Sequence, residues 1–343
     1  MKVLLGMSGG FDSSYAVKVL TEMGYTVEGA LVIMHDRTDI RAAEVAADIL
    51  GVKLHKIDAR DLFERCVIEN FINEYKNART PNPCLVCNPN VKFKCLQKFA
   101  KENGFDKIAT GHYARLFDYV GADGKYHRAI MRASDIAKDQ SYMLYRLPEE
   151  ILNMLILPLG EYYKNELRRS VEDTELAELD RPDSQEICWL SDGDYAGFIE
   201  ERIGKFPSGS FIDENGNILG EHKGIIRYTV GQRKGLGISL GERAFVKDID
   251  PKNNTVTLSA IPIKKNTIDL SNVVSIDGSH NKNISRRLHV KVRYSSKPVM
   301  ATVSFHDDNM AKVILDEATM HITKGQSAVF YDGDVLVGGG IIE

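Results

Sequence analysis

Three short stretches of the chain carry the residue types that do chemistry. Residues 4–14 read "LLGMSGGFDSS", residues 80–90 read "TPNPCLVCNPN", and residues 181–190 read "RPDSQEICWL". In the first, an apolar run is followed by two adjacent glycines, three serines and Asp12, and then by a helical pattern. A strand, a glycine turn and a helix start make a seat for an anion, because backbone N–H groups converge there and the helix end adds partial positive charge. The turn lacks the lysine of the common nucleotide loop and the spacing of the dinucleotide fingerprint. An aspartate beside a phosphate repels it unless a metal mediates or the carboxylate caps the helix. That favours a Mg²⁺-bound pyrophosphate unit. The alternative is a glycine-rich turn with Asp12 or Ser13 as N-cap. The second stretch holds Cys84 and Cys87 in a C-x-x-C among three prolines and three asparagines, which predicts an ordered loop. The third holds Cys188. One such pair cannot make a Cys₄ zinc site. Three thiolates fit an iron–sulfur cluster with one open iron, or a nucleophile, a sulfur carrier and a bystander. Cys66 and Cys95 sit in apolar helical patterns and read as small buried hydrophobes.

The elements that must position these residues follow from the pattern. Residues 2–5 read as a buried strand and residues 14–22 as a helix facing it. "TVEGALVI", "VKLHKIDA" and "DKIATG" read as strands. "DIRAAEVAADILG", "LFERCVIENFINEYKNA" and "FKCLQKFAKENG" read as helices. This alternation predicts an α/β fold with a parallel sheet, whose ligands bind beyond the C-terminal strand ends. Beyond Pro207 the chain turns β-rich, with hairpins around Asn215 and Gly216 and around residues 250–254. Beyond Pro262 it is valine-rich strand nearly throughout, as in a small barrel. The expected domains are residues 1–205, catalytic and α/β; 206–263, small and β-rich; and 264–343, barrel-like.

The chain has 343 residues and a formal net charge of −4, which excludes a broadly basic nucleic-acid coat but not a local patch. No apolar run is long enough to span a membrane, and five cysteines, an odd number, argue against a disulfide framework. The expected location is a reducing cytoplasm. Lys282, Arg286, Arg287, Lys291, Arg293 and Lys297 form an acid-free basic run, and period two puts His289, Lys291 and Arg293 on one strand face. Lys223, Arg227, Arg233 and Lys234 add charge upstream. Such a stripe suits a phosphate backbone, or is a solvated face.

Eight ordered motifs together resemble the bacterial tRNA-specific 2-thiouridylases, within the PP-loop ATP pyrophosphatases marked by S-G-G-x-D-S. They include "GMSGGFDSS", "RTPNPC", "ATGHYAR", "KDQSYMLYRL", "DSQEICW", "TVGQRKGLGI", "VRY" and "GQSAVFYDGDVLVGGGIIE". The resemblance spans nearly the whole chain. It implies ATP-dependent 2-thiolation of the wobble uridine of tRNA: O2 of the uracil is adenylated, AMP leaves, and sulfur enters from a cysteine persulfide or sulfide. Gly6, Met7, Ser8, Gly9, Gly10, Phe11, Asp12 and Ser13 match the ATP loop. Met34 is the loose match for the adenine side, and Gly111 matches a residue near the nucleotide. Asn82, Pro83, Cys84, His112, Lys138, Asp139, Gln140, Arg293, Tyr294 and Gln326 match tRNA-contacting positions. Cys87 matches the nucleophile, and Cys188 the cysteine that receives the persulfide. Mg²⁺ is implied with ATP, and a cysteine desulfurase or sulfur-relay protein as donor. The chain departs from the family pattern in having Cys84 where an aspartate is usual, Val32 at the usual methionine position, and Ser-Gln-Glu-Ile before Cys188. Cys84, Cys87 and Cys188 are the expected ligands if a [4Fe–4S] cluster is present, by analogy with related PP-loop enzymes.

Overall fold

The computed structural model describes residues 1–120, 124, 126–180, 187–190, 193–238, 243–276, 283–306 and 308–343. The chain divides into two compact units. The first comprises Met1–Val67, Cys84–Gln185 and Tyr331–Val337, and the second Ile68–Pro83, Glu186–Phe330 and Gly338–Glu343.

The strands of the first unit are β1 (Lys2–Gly6), β2 (Thr26–Ile33), β3 (Leu54–Asp58), β4 (Lys107–Thr110), β5 (Ala114–Val120), β6 (Tyr126–Arg132) and β7 (Leu155–Ile156). Five form a parallel sheet in the order β3-β2-β1-β4-β7. Val3, Leu4 and Leu5 of β1 are fully buried, as a central parallel strand covered on both faces requires. Between β1 and β2 runs helix α1 (Phe11–Glu22), and between β2 and β3 helix α2 (Ile40–Leu50). The Asp39 side chain accepts the Ala42 N–H at 2.9 Å and so caps α2, while Gly51 ends it in the left-handed region. Helix α1 starts three residues earlier than the pattern suggests. Gly10 is its N-cap, with no side-chain cap hydrogen bond. The antiparallel β5 and β6 hairpin was not legible in the sequence; Met131 of β6 pairs with Val335.

In the second unit, β8 (Gly209–Ile212), β9 (Ile218–His222), β10 (Phe245–Asp250) and β11 (Thr255–Ser259) make a four-stranded sheet in the order β10-β11-β8-β9. The two expected hairpins are its two antiparallel pairs. Phe211, Val256 and Leu258 anchor its core. Six further strands follow: β12 (Lys265–Ser275), β13 (Ser285–Lys291), β14 (Val299–His306), β15 (Met310–Thr319), β16 (Ser327–Asp332) and β17 (Val335–Ile342). Their order β12-β15-β14-β13-β16-β17 closes on itself through pairing of Leu270 with Ile342, which makes an antiparallel barrel. The fold is therefore the expected α/β parallel sheet with a small β sheet and a barrel after it.

The face that period two draws through His289, Lys291 and Arg293 is cut short by the end of its strand. Strand β13 ends at Lys291, which is only 8% exposed and has its ammonium 5.5 Å from the centre of the Tyr294 ring. Arg287 is paired with Asp316 at 2.6 Å, and Arg227 with Glu200 at 2.5 Å. Lys282 lies outside the described residues.

Candidate nucleotide and thiol site

The turn from β1 into α1 is built by its own hydroxyls. Ser13 Oγ accepts the Ser8 N–H at 3.2 Å and donates to the Gly10 carbonyl at 3.0 Å, where Ser14 Oγ also donates at 3.0 Å. The Met7 N–H joins the Ala30 carbonyl at 2.9 Å, so the turn springs directly from the C-terminal end of the sheet. Gly9 has φ +82°, and a Cβ there would lie 2.4 Å from the carbonyl carbon of Ala42. The alanines of α2 thus let that helix back closely against the turn. Gly111, just past β4, lies against the peptide joining Asp12 to Ser13. With no side chain capping α1, its first-turn N–H groups are left for a partner from outside the helix, as an anion would be. Gly9→Ala should therefore displace the turn. The expected outcome is at least about a tenfold loss of ATP affinity by calorimetry with little change in tRNA binding.

Asp12 neither caps the helix nor stands unneutralised. Its Oδ2 lies 2.7 Å from Lys164 Nζ, and its Oδ1 accepts the Tyr113 hydroxyl at 2.9 Å. The Lys164 side chain is 4% exposed, and its backbone N–H is fixed on Asp135 Oδ2 at 3.1 Å. The lysine beside Asp12 comes from a helix 152 residues later, Lys164–Arg169. Sequence reasoning missed it. A lone acidic partner deep in the chain gives no local signal. Lys138 is half-buried, and its N–H donates to the Asp135 carbonyl at 3.0 Å.

Asp139 and Gln140 brace this network. Asp139 is 4% exposed; its carboxylate accepts the N–H groups of Ala133 and Ser141 at 3.0 and 3.2 Å and the Ser141 hydroxyl at 3.0 Å. Gln140 pairs with Tyr113 in both directions, at 2.9 and 2.8 Å. These contacts hold Tyr113, and Tyr113 holds Asp12.

The C-x-x-C stretch is helical, contrary to the loop read from its prolines. Pro83–Cys87 forms an α turn, Asn88–Lys92 a π-type turn, and Phe93–Glu102 the continuing helix. Pro83 stands at the first helical position, where its missing N–H costs nothing. The wider π turn takes in Pro89, whose ring would collide with the Leu85 carbonyl in a regular helix. Asn88 Nδ2 anchors the turn on the Met143 carbonyl at 2.9 Å. Cys84 is exposed and Cys87 is buried. The Cys87 thiol donates to Met34 Sδ at 3.4 Å, and Met34 directly follows β2. The Cys87 thiol therefore meets Met34 at the same sheet edge as the glycine turn.

His112 lies beyond β4, with Nδ1 2.8 Å from Thr110 Oγ1 and its ring 5.6 Å from Phe93. Burial, aided by the charge of Lys92, lowers its pKa to about 3. The imidazole is neutral at physiological pH. The unfolded chain binds a proton near pH 6.5 that the folded chain refuses down to about 3. Stability should thus fall as pH drops from 6.5, by up to about 1.4 kcal/mol per unit from this group. Denaturant titrations of His112→Gln should show a shallower slope in that window.

In the second unit, Cys188 is exposed in a turn closed by the Leu190 N–H on the Ile187 carbonyl at 3.0 Å. The neighbouring Trp189 is buried, edge-on to Phe71 at 5.6 Å, and so pins the turn. Residues 184–186 of the Ser-Gln-Glu-Ile departure lie outside the described residues. Tyr294 is 37% exposed, and the Arg293 guanidinium donates to the Thr323 hydroxyl. Asn82 is half-buried and Pro83 buried. The amide of Gln326 donates to the Thr80 carbonyl at 2.7 Å. Cys66 and Cys95 are free thiols. Among the described residues, no three His, Cys, Asp or Glu side chains are grouped to hold a metal ion.

Family models match the chain end to end: "tRNA methyl transferase HUP domain" over residues 1–192, "tRNA methyl transferase PRC-barrel domain" over 196–260, and "Aminomethyltransferase beta-barrel domain" over 265–342. The tRNA-specific 2-thiouridylase MnmA of Clostridioides difficile (strain 630) is 41% identical, with 100% of this chain and 98% of that protein covered. MnmA 1 of Clostridium botulinum (strain Okra / Type B1) is 43% identical over 99% of this chain and 98% of its own length. The chain belongs to the tRNA-specific 2-thiouridylase family. Among solved structures, a 4-thiouridine synthetase in complex with RNA and ATP is 18% identical, covers 52% of this chain and 42% of its own, and has a TM-score of 0.35. So slight a likeness bears on nothing further here. Among the described residues, no helix is long and apolar enough to cross a membrane.

Proposed function

We propose that this member of the family is an ATP-dependent sulfurtransferase that thiolates C2 of the wobble uridine of tRNA. The observation that supports it best is the pairing of the buried Cys87 thiol with Met34 at the sheet edge that also carries the glycine turn. The turn binds the β and γ phosphates as one unit, with Lys164 neutralising Asp12 so that the carboxylate does not oppose the anion. Uracil C2 is a weak electrophile and its oxygen a poor leaving group. Attack of O2 on the α phosphorus breaks the α–β bond and releases pyrophosphate. The terminal sulfur of a Cys188 persulfide then adds to C2, and AMP departs with the former O2. The Cys87 thiolate attacks the inner sulfur of Cys188, which leaves the terminal sulfur on C2 and forms a Cys87–Cys188 disulfide. A dithiol reductant restores both thiols, and a cysteine desulfurase or relay protein reloads Cys188. Mg²⁺ travels with the pyrophosphate and adds charge neutralisation when bound.

In this reading residues 1–205 perform the chemistry and residues 264–343 hold the tRNA, with Arg293 and Tyr294 among the contacts. The target uridine must leave its stack to reach the thiol, as bases do in other enzymes that act on them. Labelled ATP incubated with tRNA and a persulfide donor tests the first half. AMP and pyrophosphate, formed only with tRNA, are expected. ADP and orthophosphate would overturn the assignment of the turn.

A further inference from the structure

Tyr113 joins the phosphate turn to a segment that lies far from it in sequence. It follows β4, is 2% exposed, and its hydroxyl donates to Asp12 Oδ1 at 2.9 Å. The Lys164 ammonium, which holds the other oxygen of Asp12 at 2.7 Å, lies 5.8 Å from the centre of the Tyr113 ring. The backbone of Tyr113 is held by Gln140. The Tyr113 N–H donates to Gln140 Oε1 at 2.9 Å, and the Tyr113 carbonyl accepts the Gln140 N–H at 2.8 Å. The residues beside Gln140 are themselves fixed. Asp139 accepts from Ala133 and Ser141, and Ser141 Oγ meets the Tyr331 hydroxyl at 3.1 Å. All of these residues belong to the first compact unit.

A buried tyrosine hydroxyl needs one polar partner, and any backbone carbonyl would serve. Here the partner is a carboxylate of the phosphate turn, and a hydrogen bond to an ionised group is about twice as strong as a neutral one. The Asp12 side chain is 34% exposed while both of its partners are nearly sealed from water, so the protein interior dictates where the carboxylate stands. Backbone packing reinforces the link. A Cβ on Gly111 would lie 2.9 Å from both the Asp12 carbonyl carbon and the Ser13 nitrogen. The stretch from Gly111 to Tyr113 therefore touches the turn through its backbone and through a hydroxyl, and packing this close passes a shift of one to the other. Three hydrogen bonds thus connect residue 140 to residue 12.

We propose that Tyr113 is a positioning residue that couples the Lys138–Gln140 segment to the phosphate turn, so that tRNA on that segment sets Asp12 for cleavage of the α–β bond of ATP. Occupation of the segment moves Gln140, Gln140 carries the Tyr113 backbone, and the Tyr113 hydroxyl carries Asp12. The inference rests on the reading of the turn as the ATP site and of Lys138–Gln140 as a tRNA contact.

Binding tests it without any turnover. The probes are α,β-methylene ATP, which cannot be cleaved between the α and β phosphates, and an unmodified tRNA with a wobble uridine. Calorimetry on the full chain gives the affinity for the analogue with and without saturating tRNA. In the unsubstituted protein tRNA should tighten the analogue at least about fivefold, and the analogue should tighten tRNA by the same factor. Tyr113→Phe keeps the ring and loses the hydroxyl. Its coupling factor should fall to within about twofold of one, while each ligand alone binds within about threefold of normal. Placed on Asp12→Ala, Tyr113→Phe should change nothing further, because the group it acts through is gone. In turnover, kcat for tRNA-dependent AMP formation should drop at least about tenfold. Gln140→Met removes the acceptor at the other end of the link and serves where Tyr113→Phe does not fold; its coupling factor should fall likewise. An unchanged factor in Tyr113→Phe would overturn the proposal, as would the lack of coupling in the unsubstituted protein. Weaker binding of both ligands with the factor intact would make Tyr113 a structural residue only. If the coupling is as expected and no sulfur enters the tRNA, the link stands and the sulfurtransferase reading fails; if the analogue does not bind, the ATP reading of the turn falls and the link with it.

Discussion

Replacing Lys164 with methionine should lower tRNA-dependent pyrophosphate release by about two to three orders of magnitude, the scale seen when one buried electrostatic group is removed from a reaction site. The Lys164 ammonium lies 2.7 Å from Asp12 and is nearly sealed from water. Without it, the Asp12 carboxylate keeps only the Tyr113 hydroxyl and faces the bound phosphates as an unpaired charge. Asp12→Asn should cost less, about tenfold, because it removes the charge that Lys164 neutralises and leaves a free cation beside an anion site. The double variant should be better than Lys164→Met alone, and this ordering is the informative part. If the two single losses instead simply multiplied in the double variant, Asp12 and Lys164 would act apart and the paired account would fail. Pyrophosphate release measured against tRNA binding by filter retention separates the phosphate site from RNA affinity.

Cys87→Ser should abolish thiolation, by about a thousandfold or more, while tRNA-dependent formation of AMP persists. Serine has the shape but not the nucleophilicity to release sulfur from a persulfide. Cys188→Ser should fail in the same way when a persulfide donor supplies the sulfur. Cys84→Ala should stay within about fivefold of the unsubstituted protein, because Cys84 is exposed and the two-cysteine relay does not use it. Nucleoside analysis of the product tRNA reads all three. A loss in Cys84→Ala as deep as that in Cys87→Ser would contradict the two-cysteine relay and restore a three-thiol centre.

How much of this was legible in the sequence depends on how local each signal is. The glycine turn, Gly111 and the sheet were legible because a strand, a turn and a helix start are each written within a dozen residues. Helix α2 was bounded correctly by Asp39 and Gly51 for the same reason. Lys164 was not legible, because its meaning comes from Asp12, 152 residues away. The prolines around Cys84 were read as helix breakers, but Pro83 sits where a helix tolerates it and a π turn takes up Pro89. Period two set His289, Lys291 and Arg293 on one strand face. The strand ends at Lys291, and its aliphatic stem is buried, with the ammonium lying over Tyr294. Asp139, which the family resemblance places among the tRNA-contacting positions, has its carboxylate turned inward onto Ala133 and Ser141, a placement no local pattern announces.

The central claim is that this chain replaces O2 of the wobble uridine with sulfur at the cost of the α–β bond of ATP. Unmodified tRNA, ATP, Mg²⁺ and a persulfide donor, incubated with the protein and then digested for mass analysis of nucleosides, test it in one measurement. The account predicts 2-thiouridine at the wobble position, one AMP for each sulfur inserted, and no product when either ATP or the donor is omitted. Sulfur at another position of the base, or thiolation that proceeds without AMP, would contradict it.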